Sequence, residues 1–137
     1  MIKELMHDPI FLAGKSEDAK KDDIAVANDL LETLMAHRES CVGMAANMIG
    51  VFKCVIALIE PNGNILVMRN PKIMSAKQPY QAVEGCLSLP GERETTRYKQ
   101  IKVSWQDEQG KPKIKTFKGF DAQIIQHEID HCNGILI

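Results

Sequence analysis

His127-Glu128-Ile129-Asp130-His131 stands near the end of a 137-residue chain, inside a run that reads as a helix. Histidines four apart fall on one helix face, a turn from each other. Two imidazoles at that spacing can hold one metal ion, and the Glu beside the first can hold a water on that metal. Two surface histidines and a solvated Glu on an amphipathic helix would give the same letters. The surrounding sequence has to decide.

The run around it has the marks of a terminal helix. Asp121 is a plausible N-cap and Gly134 a plausible stop. Ile135-Leu136-Ile137 is an apolar end expected to dock on the core. Upstream, Asp22 or Asp23 can cap a first long helix, in which Ile24, Ala27, Leu30, Leu31, Leu34 and Met35 recur at helical spacing as far as His37. Residues 38–50 break that pattern with small side chains. Val51 to Ile59 is apolar and β-branched, a buried strand. Pro61-Asn62-Gly63-Asn64 is a turn, so Ile65 to Arg69 should return as a hairpin partner. Asn70-Pro71 is expected to end that strand, with a short strand at Lys72–Met74. Pro90 speaks against a central strand continuing through residues 81–90. Arg97 to Trp105 alternates, Glu108-Gln109-Gly110 turns, and Pro112 to Phe117 comes back. Residues 1–20, with Pro9 and Gly14, read as an extended, turning segment. The order is helix, antiparallel strands, helix: an α+β domain over residues 1–137, its antiparallel sheets packed around the C-terminal helix.

Composition excludes several classes. Hydrophobic residues at 45% and charged residues at 26% suit a single soluble core. A formal net charge of −1 gives no field of one sign to attract nucleic acid or an anionic membrane. Lys111, Lys113, Lys115 and Lys118 mostly alternate along a strand and read as a solvated face. No apolar run is long enough to span a bilayer, and the first residues are too acidic for a secretory signal, which points to the cytoplasm. Cys41, Cys54, Cys86 and Cys132 are widely spaced with no C-x-x-C pair. Free thiols, a ligand or a nucleophile are then favoured over a disulfide framework.

A catalytic metal on His127 and His131 needs a third protein ligand and an open position. Cys, Glu, Asp or His from upstream could serve. Cys86 is the best candidate, because its Gly-flanked, Pro-terminated segment would present a thiolate from a fixed backbone. A free Cys is also commonly a small buried hydrophobe.

Three segments together resemble the peptide deformylase family. Gly43-Met44-Ala45-Ala46 resembles the first motif, G-x-G-x-A-A-x-Q. Glu84-Gly85-Cys86-Leu87-Ser88 matches E-G-C-L-S, and Gln126 to His131 matches Q-H-E-x-D-H. Order and approximate spacing agree across nearly the whole chain. The resemblance implies a deformylase-like fold, with Cys86, His127 and His131 as ligands of one divalent metal. Fe(II) is the native ion it implies, with Zn, Ni or Co able to replace it. It makes Glu128 the general base and then the acid, and the Leu87 backbone N–H the donor to the developing oxyanion. Gly43, Met44, Gly85 and Arg93 fall to substrate binding. Arg93 and Arg97 divide two roles, holding substrate and pairing with Glu84. Gln126 and Asp130 hold an imidazole or fix the helix. The implied reaction releases formate from formyl-methionine at the start of new polypeptides. The implied partners are N-formyl-methionyl peptides and the ribosome near the nascent-chain exit, without direct nucleic-acid specificity and without a membrane.

The departures are specific. Cys41 replaces the first Gly of motif one, and Met48 replaces its Gln, whose amide in the family donates to the reacting oxygen. Met has no donor. Asn47, one residue early, should point elsewhere. Losing one such donor slows chemistry on the order of 10²–10³-fold, about 3–4 kcal/mol. Metal binding should survive. The expectation is a peptide deformylase with reduced activity; the alternative is a deformylase-like protein acting on another N-acyl substrate or by binding alone. The chain ends soon after the third motif, which leaves the shape of the substrate groove open.

Overall fold

A computed structural model describes all residues, Met1–Ile137. Five antiparallel strands form one sheet in sequence order: β1 (Gly43–Ala45), β2 (Val55–Ile59), β3 (Ile65–Cys86), β4 (Leu89–Gln106) and β5 (Pro112–Lys118). Helix α1 (Pro9–Leu12) and helix α2 (Ile24–Ala36) precede the sheet, and α3 (Gly119–Cys132) follows it. The α+β expectation of antiparallel strands around a C-terminal helix is met.

The helices take opposite sides of the sheet. Ile56 and Leu58 of β2 join one apolar cluster with Ile124, Ile125 and Ile129 of α3. Val55 and Ala57 join a second cluster with Leu30 and Leu34 of α2. Alternate side chains of a strand point to opposite faces, so β2 is apolar at every position because both faces are covered. That explains its continuous hydrophobic run. Fully burying one such side chain contributes roughly 1.5–3 kcal/mol.

Several boundaries differ from the sequence reading, each for a local reason. β2 starts at Val55 rather than Val51, because the Phe52 carbonyl accepts from Glu17 N–H and Cys54 N–H donates to the Glu17 carbonyl of the N-terminal segment. Asn70-Pro71 does not end β3. Asn70 adopts φ 53°, and the register shifts between Arg69 and Lys72, so Pro71 falls in a bulge where no ladder bond is lost. Pro90 lies inside β4 for the same reason: Cys86 pairs with Leu89 and Gly85 with Glu92, leaving Pro90 and Gly91 in an irregularity. The N-terminal segment contains α1, capped by the Asp8 carboxylate accepting from Ile10 N–H. Asp121 is not the cap of α3 but lies in its first turn, where its charge favours the helix dipole.

The end of α3 matches the sequence signal. Gly134, at φ 73°, donates to the His131 carbonyl, and Ile135 donates to the Asp130 carbonyl. These are the paired bonds of a Schellman stop. Ile137 is buried, as expected, while Ile135 and Leu136 remain exposed.

Candidate active site

Helix α3 sets His127 and His131 on its sheet-facing side, and β3 delivers Cys86 at its last residue. The two Nε2 atoms lie 3.2 Å apart, and Cys86 Sγ lies 3.4 Å from His131 Nε2. All three donor atoms fall within 4.8 Å of one another. A tetrahedral ion with ordinary bond lengths to sulfur and imidazole nitrogen would set these edges at about 3.3–3.6 Å. The donor set therefore fits one cation, with a vertex left for solvent or substrate.

The ring orientation has a cause. His127 Nδ1 lies 2.8 Å from Glu84 Oε1, so it carries the proton and leaves Nε2 free to ligate. Glu84 also accepts from Arg97 Nε at 2.9 Å and Nη2 at 2.7 Å, and from Gln123 Nε2 at 2.9 Å. Arg97 reaches on to Asp130 Oδ2 at 2.6 Å. A charged lattice thus ties the β3–β4 hairpin to α3 around the ligands. Burial works against the Glu84 charge, but the bonds from His127, Arg97 and Gln123 prevail and hold its carboxyl down to about 2. Burial likewise opposes charge on His127, yet bonds to Cys86 and Glu84 raise it to about 10. Burial and the His127 charge push His131 down to about 3.

Glu128 is 4% exposed, and its Oε1 has no hydrogen-bond partner. Burial pushes its carboxyl up to about 7. Gly43 permits this packing: a Cβ there would stand 2.9 Å from Glu128 Oε2 and 2.5 Å from Ile124 Cγ2. A cavity of about 280 Å³ opens beside Glu128, with Gly43, Met48, Gly85, Cys86, Leu87 and His127 in its wall.

A sequence profile of the polypeptide deformylase family matches residues 4–137. A peptide deformylase of Clostridium beijerinckii is 50% identical over the whole of both chains. One from Thermus thermophilus is 35% identical, over 81% of this chain and 66% of the relative. This chain belongs to the peptide deformylase family. Solved structures agree. A Met-Ala-Ser-bound deformylase from Acinetobacter baumannii superposes with TM-score 0.87 at 28% identity, covering 99% of this chain and 97% of the other. A Legionella pneumophila deformylase gives 0.88 at 32% identity, covering 99% and 83%. The family is one of metal-dependent hydrolases, and the Cys86, His127 and His131 cluster supplies the site for such a metal.

Against that family pattern, Met48 is 1% exposed and lines the cavity, where its sulfur accepts from the Ala45 N–H at 3.4 Å. The position that would carry the amide donor thus faces the site with an acceptor. Asn47 does point elsewhere, donating to the His131 carbonyl at 2.9 Å. Cys41 also lines the cavity, donating to the Gly43 carbonyl at 2.8 Å; burial and the nearby Glu128 raise its thiol to about 12, so it stays protonated.

Other sequence expectations sort cleanly. Arg97, not Arg93, pairs with Glu84. Arg93 is half-buried, donates to the Pro90 carbonyl at 3.3 Å and is off the cavity wall. Met44 is fully buried in the cluster on the α2 side and does not line the cavity either. Gln126 fixes the helix to the sheet: its amide bonds Tyr98 N–H at 2.9 Å and Tyr98 carbonyl at 2.8 Å. Gln123 was absent from the sequence reading. Its place four residues before His127, on the same helix face, was the available signal. Phe120, Val83 and Ile124 complete an apolar side of the cavity that no motif announced.

Proposed function

We propose that residues 1–137 form one catalytic domain that removes the formyl group from N-formyl-methionyl peptides, releasing formate and a free amino terminus. The observation that carries this is the convergence of Cys86 Sγ, His127 Nε2 and His131 Nε2 beside the buried, unpartnered carboxylate of Glu128. The metal, Fe(II) natively with zinc, nickel or cobalt as substitutes, would polarise the formyl oxygen and acidify a water. Glu128 takes a proton from the attacking water as the water oxygen adds to the formyl carbon. It returns the proton to the amine nitrogen as the C–N bond breaks. Burial raises this carboxyl, which favours its taking up and returning a proton. The Leu87 N–H donates to the formyl oxygen as it gains charge. Glu84 keeps the His127 ring turned toward the ligand site. The apolar side formed by Phe120, Val83 and Ile124 suits a methionine side chain, and the tripeptide bound by the Acinetobacter relative begins with Met.

Such substrates arise at the ribosome, so the reading places the enzyme in the cytoplasm near emerging chains. No helix is long and apolar enough to cross a membrane. Met48 favours a second reading in one respect: the same site would turn over slowly or prefer a different N-acyl group. An anaerobic assay of metal-quantified protein separates the two. Faster hydrolysis of a formyl-Met dipeptide than of its acetyl counterpart supports the first; equal or no hydrolysis of a folded, metal-loaded sample rejects it.

A further inference from the structure

We propose that the outer surface of β3–β4–β5 is a docking face for the phosphate backbone of structured RNA. The net charge of −1 conceals a sharp separation. Residues 70–82, 99–106 and 111–118 contain eight lysines and no carboxylate, leaving a formal charge of −9 on the rest of the chain. The register brings these three stretches side by side. All eight lysines are exposed. Only Lys113 has a carboxylate in reach, Asp107 at 4.0 Å, and Lys115 lies over the Phe117 ring.

Four of them share one face. On β4, Ile101, Val103 and Trp105 point into the core, so Gln100, Lys102 and Ser104 point away from α3. Lys77 and Lys118 both pair with Gln100, Lys102 with Thr116 and Ser75, and Lys72 with Ser104. Two strand spacings put Lys77 and Lys118 about 10 Å apart, with Lys102 about 7 Å further along the sheet. Lys113 and Lys115 pair with Trp105 and Val103, and Lys99 alternates with Gln100, so these three lie on the other side of the sheet and the docking face rests on the four. An unneutralised positive surface of this kind attracts a polyanion by counterion release.

The side chains between the lysines select the polyanion. Ser75, Gln100, Ser104 and Thr116 can hydrogen-bond phosphate and ribose hydroxyls. A bilayer-binding surface would interleave aromatic and leucine anchors, whereas this face offers only Met74 and Ile114. It also lies across the sheet from α3, so docking leaves the cavity open. The choice of RNA rests on the proposed substrate, because formylated chains emerge from an RNA-rich particle.

The test is anisotropy of a labelled RNA hairpin of about 20 base pairs with metal-loaded protein. Non-specific duplex binding in the range of 10⁻⁴–10⁻⁶ M is expected, with four neutralised phosphates giving a log–log salt slope of about −4. Replacing Lys72, Lys77, Lys102 and Lys118 together by Gln should weaken binding at least tenfold and flatten the slope. Hydrolysis of a formyl-Met dipeptide should not change. Two double variants, Lys72→Gln with Lys102→Gln and Lys77→Gln with Lys118→Gln, should each lose part of the affinity and guard against misfolding of the quadruple form. The proposal is overturned if the hairpin does not bind at about 50 mM salt, if the folded variants bind as well as the parent, or if phosphatidylglycerol vesicles bind as tightly as the hairpin. A protein that cleaves the dipeptide but ignores RNA rejects the docking face alone. One that binds RNA through these lysines but never cleaves the dipeptide rejects the substrate reading instead.

Discussion

The two walls of the cavity are built on different principles. The wall made by α3 and the β3–β4 hairpin is held by directional bonds: Gln123 and His127 to Glu84, Glu84 to Arg97, Arg97 to Asp130. The opposite wall, from Cys41 to Met48, is held by close apolar packing and the missing side chain of Gly43. A polar lattice tolerates little change, because removing one member strands a buried charge. An apolar wall can exchange chemistry at one position without disturbing its neighbours. The departures from the family pattern, Cys41 and Met48, both lie in the apolar wall. The motif residues of the polar wall are intact.

The largest expected effect comes from the group both walls enclose. Glu128→Gln should reduce turnover by about 10²–10⁴-fold, the usual contribution of a general acid–base. Metal content should stay at one per chain by elemental analysis; loss of the ion would show that Glu128 supports the ligands rather than the chemistry. Next is Met48→Gln, which should raise kcat by as much as about 10²-fold if the absent donor limits the rate. An unchanged kcat in a folded, loaded variant would show that another group already stabilises the oxyanion.

Breaking the polar wall should be felt in affinity and stability. Glu84→Gln should weaken metal binding by roughly 10–100-fold in a competition titration, since the His127 tautomer is no longer imposed. The same variant should be less stable than the parent by about 1.5–3 kcal/mol in urea, because Arg97 loses one charged partner and keeps only Asp130. The pH dependence has a definite sign. The Glu84 carboxyl is depressed from 4.5 to about 2, so the stability it contributes is complete above 4.5 and fades as pH falls toward 2. Glu84→Gln should flatten that acid limb; a parent and variant with parallel acid profiles would assign the limb to other carboxylates. Smallest is Gly43→Ala, where the new methyl must displace Ile124 or Glu128 at a cost of about 1–3 kcal/mol. An unchanged melting temperature would mean that the apolar wall yields more easily than its packing suggests.

The difference between the walls also explains what the sequence revealed. His127, Glu128 and His131 are legible because helical spacing alone puts them together. Cys86 is legible from its rigid local segment and its family motif. Arg97 over Arg93 was not, because the register sets Arg93 opposite Glu84, and only the seating of α3, which brings Asp130 to Arg97 and His127 to Glu84, selects Arg97. Register shifts hid the continuity of β3 through Pro71 and of β4 through Pro90: a proline reads as a terminator until such a shift removes the bond it could not make. The lysine face stayed hidden for a related reason. Its members are dispersed over three strands, and only pairing assembles them.

The ligand set carries a thermodynamic consequence. Cys86 and His131 are 45 residues apart, joined through β4, β5 and most of α3. Random coil cannot present both at one point, so an ion has almost nothing comparable to grip before the hairpin has zipped and the helix has seated. Occupancy then acts as a latch on the finished molecule, adding RT ln(1 + [M]/Kd) to its resistance to heat. Chelation should therefore depress the melting temperature in step with the affinity of the ion removed.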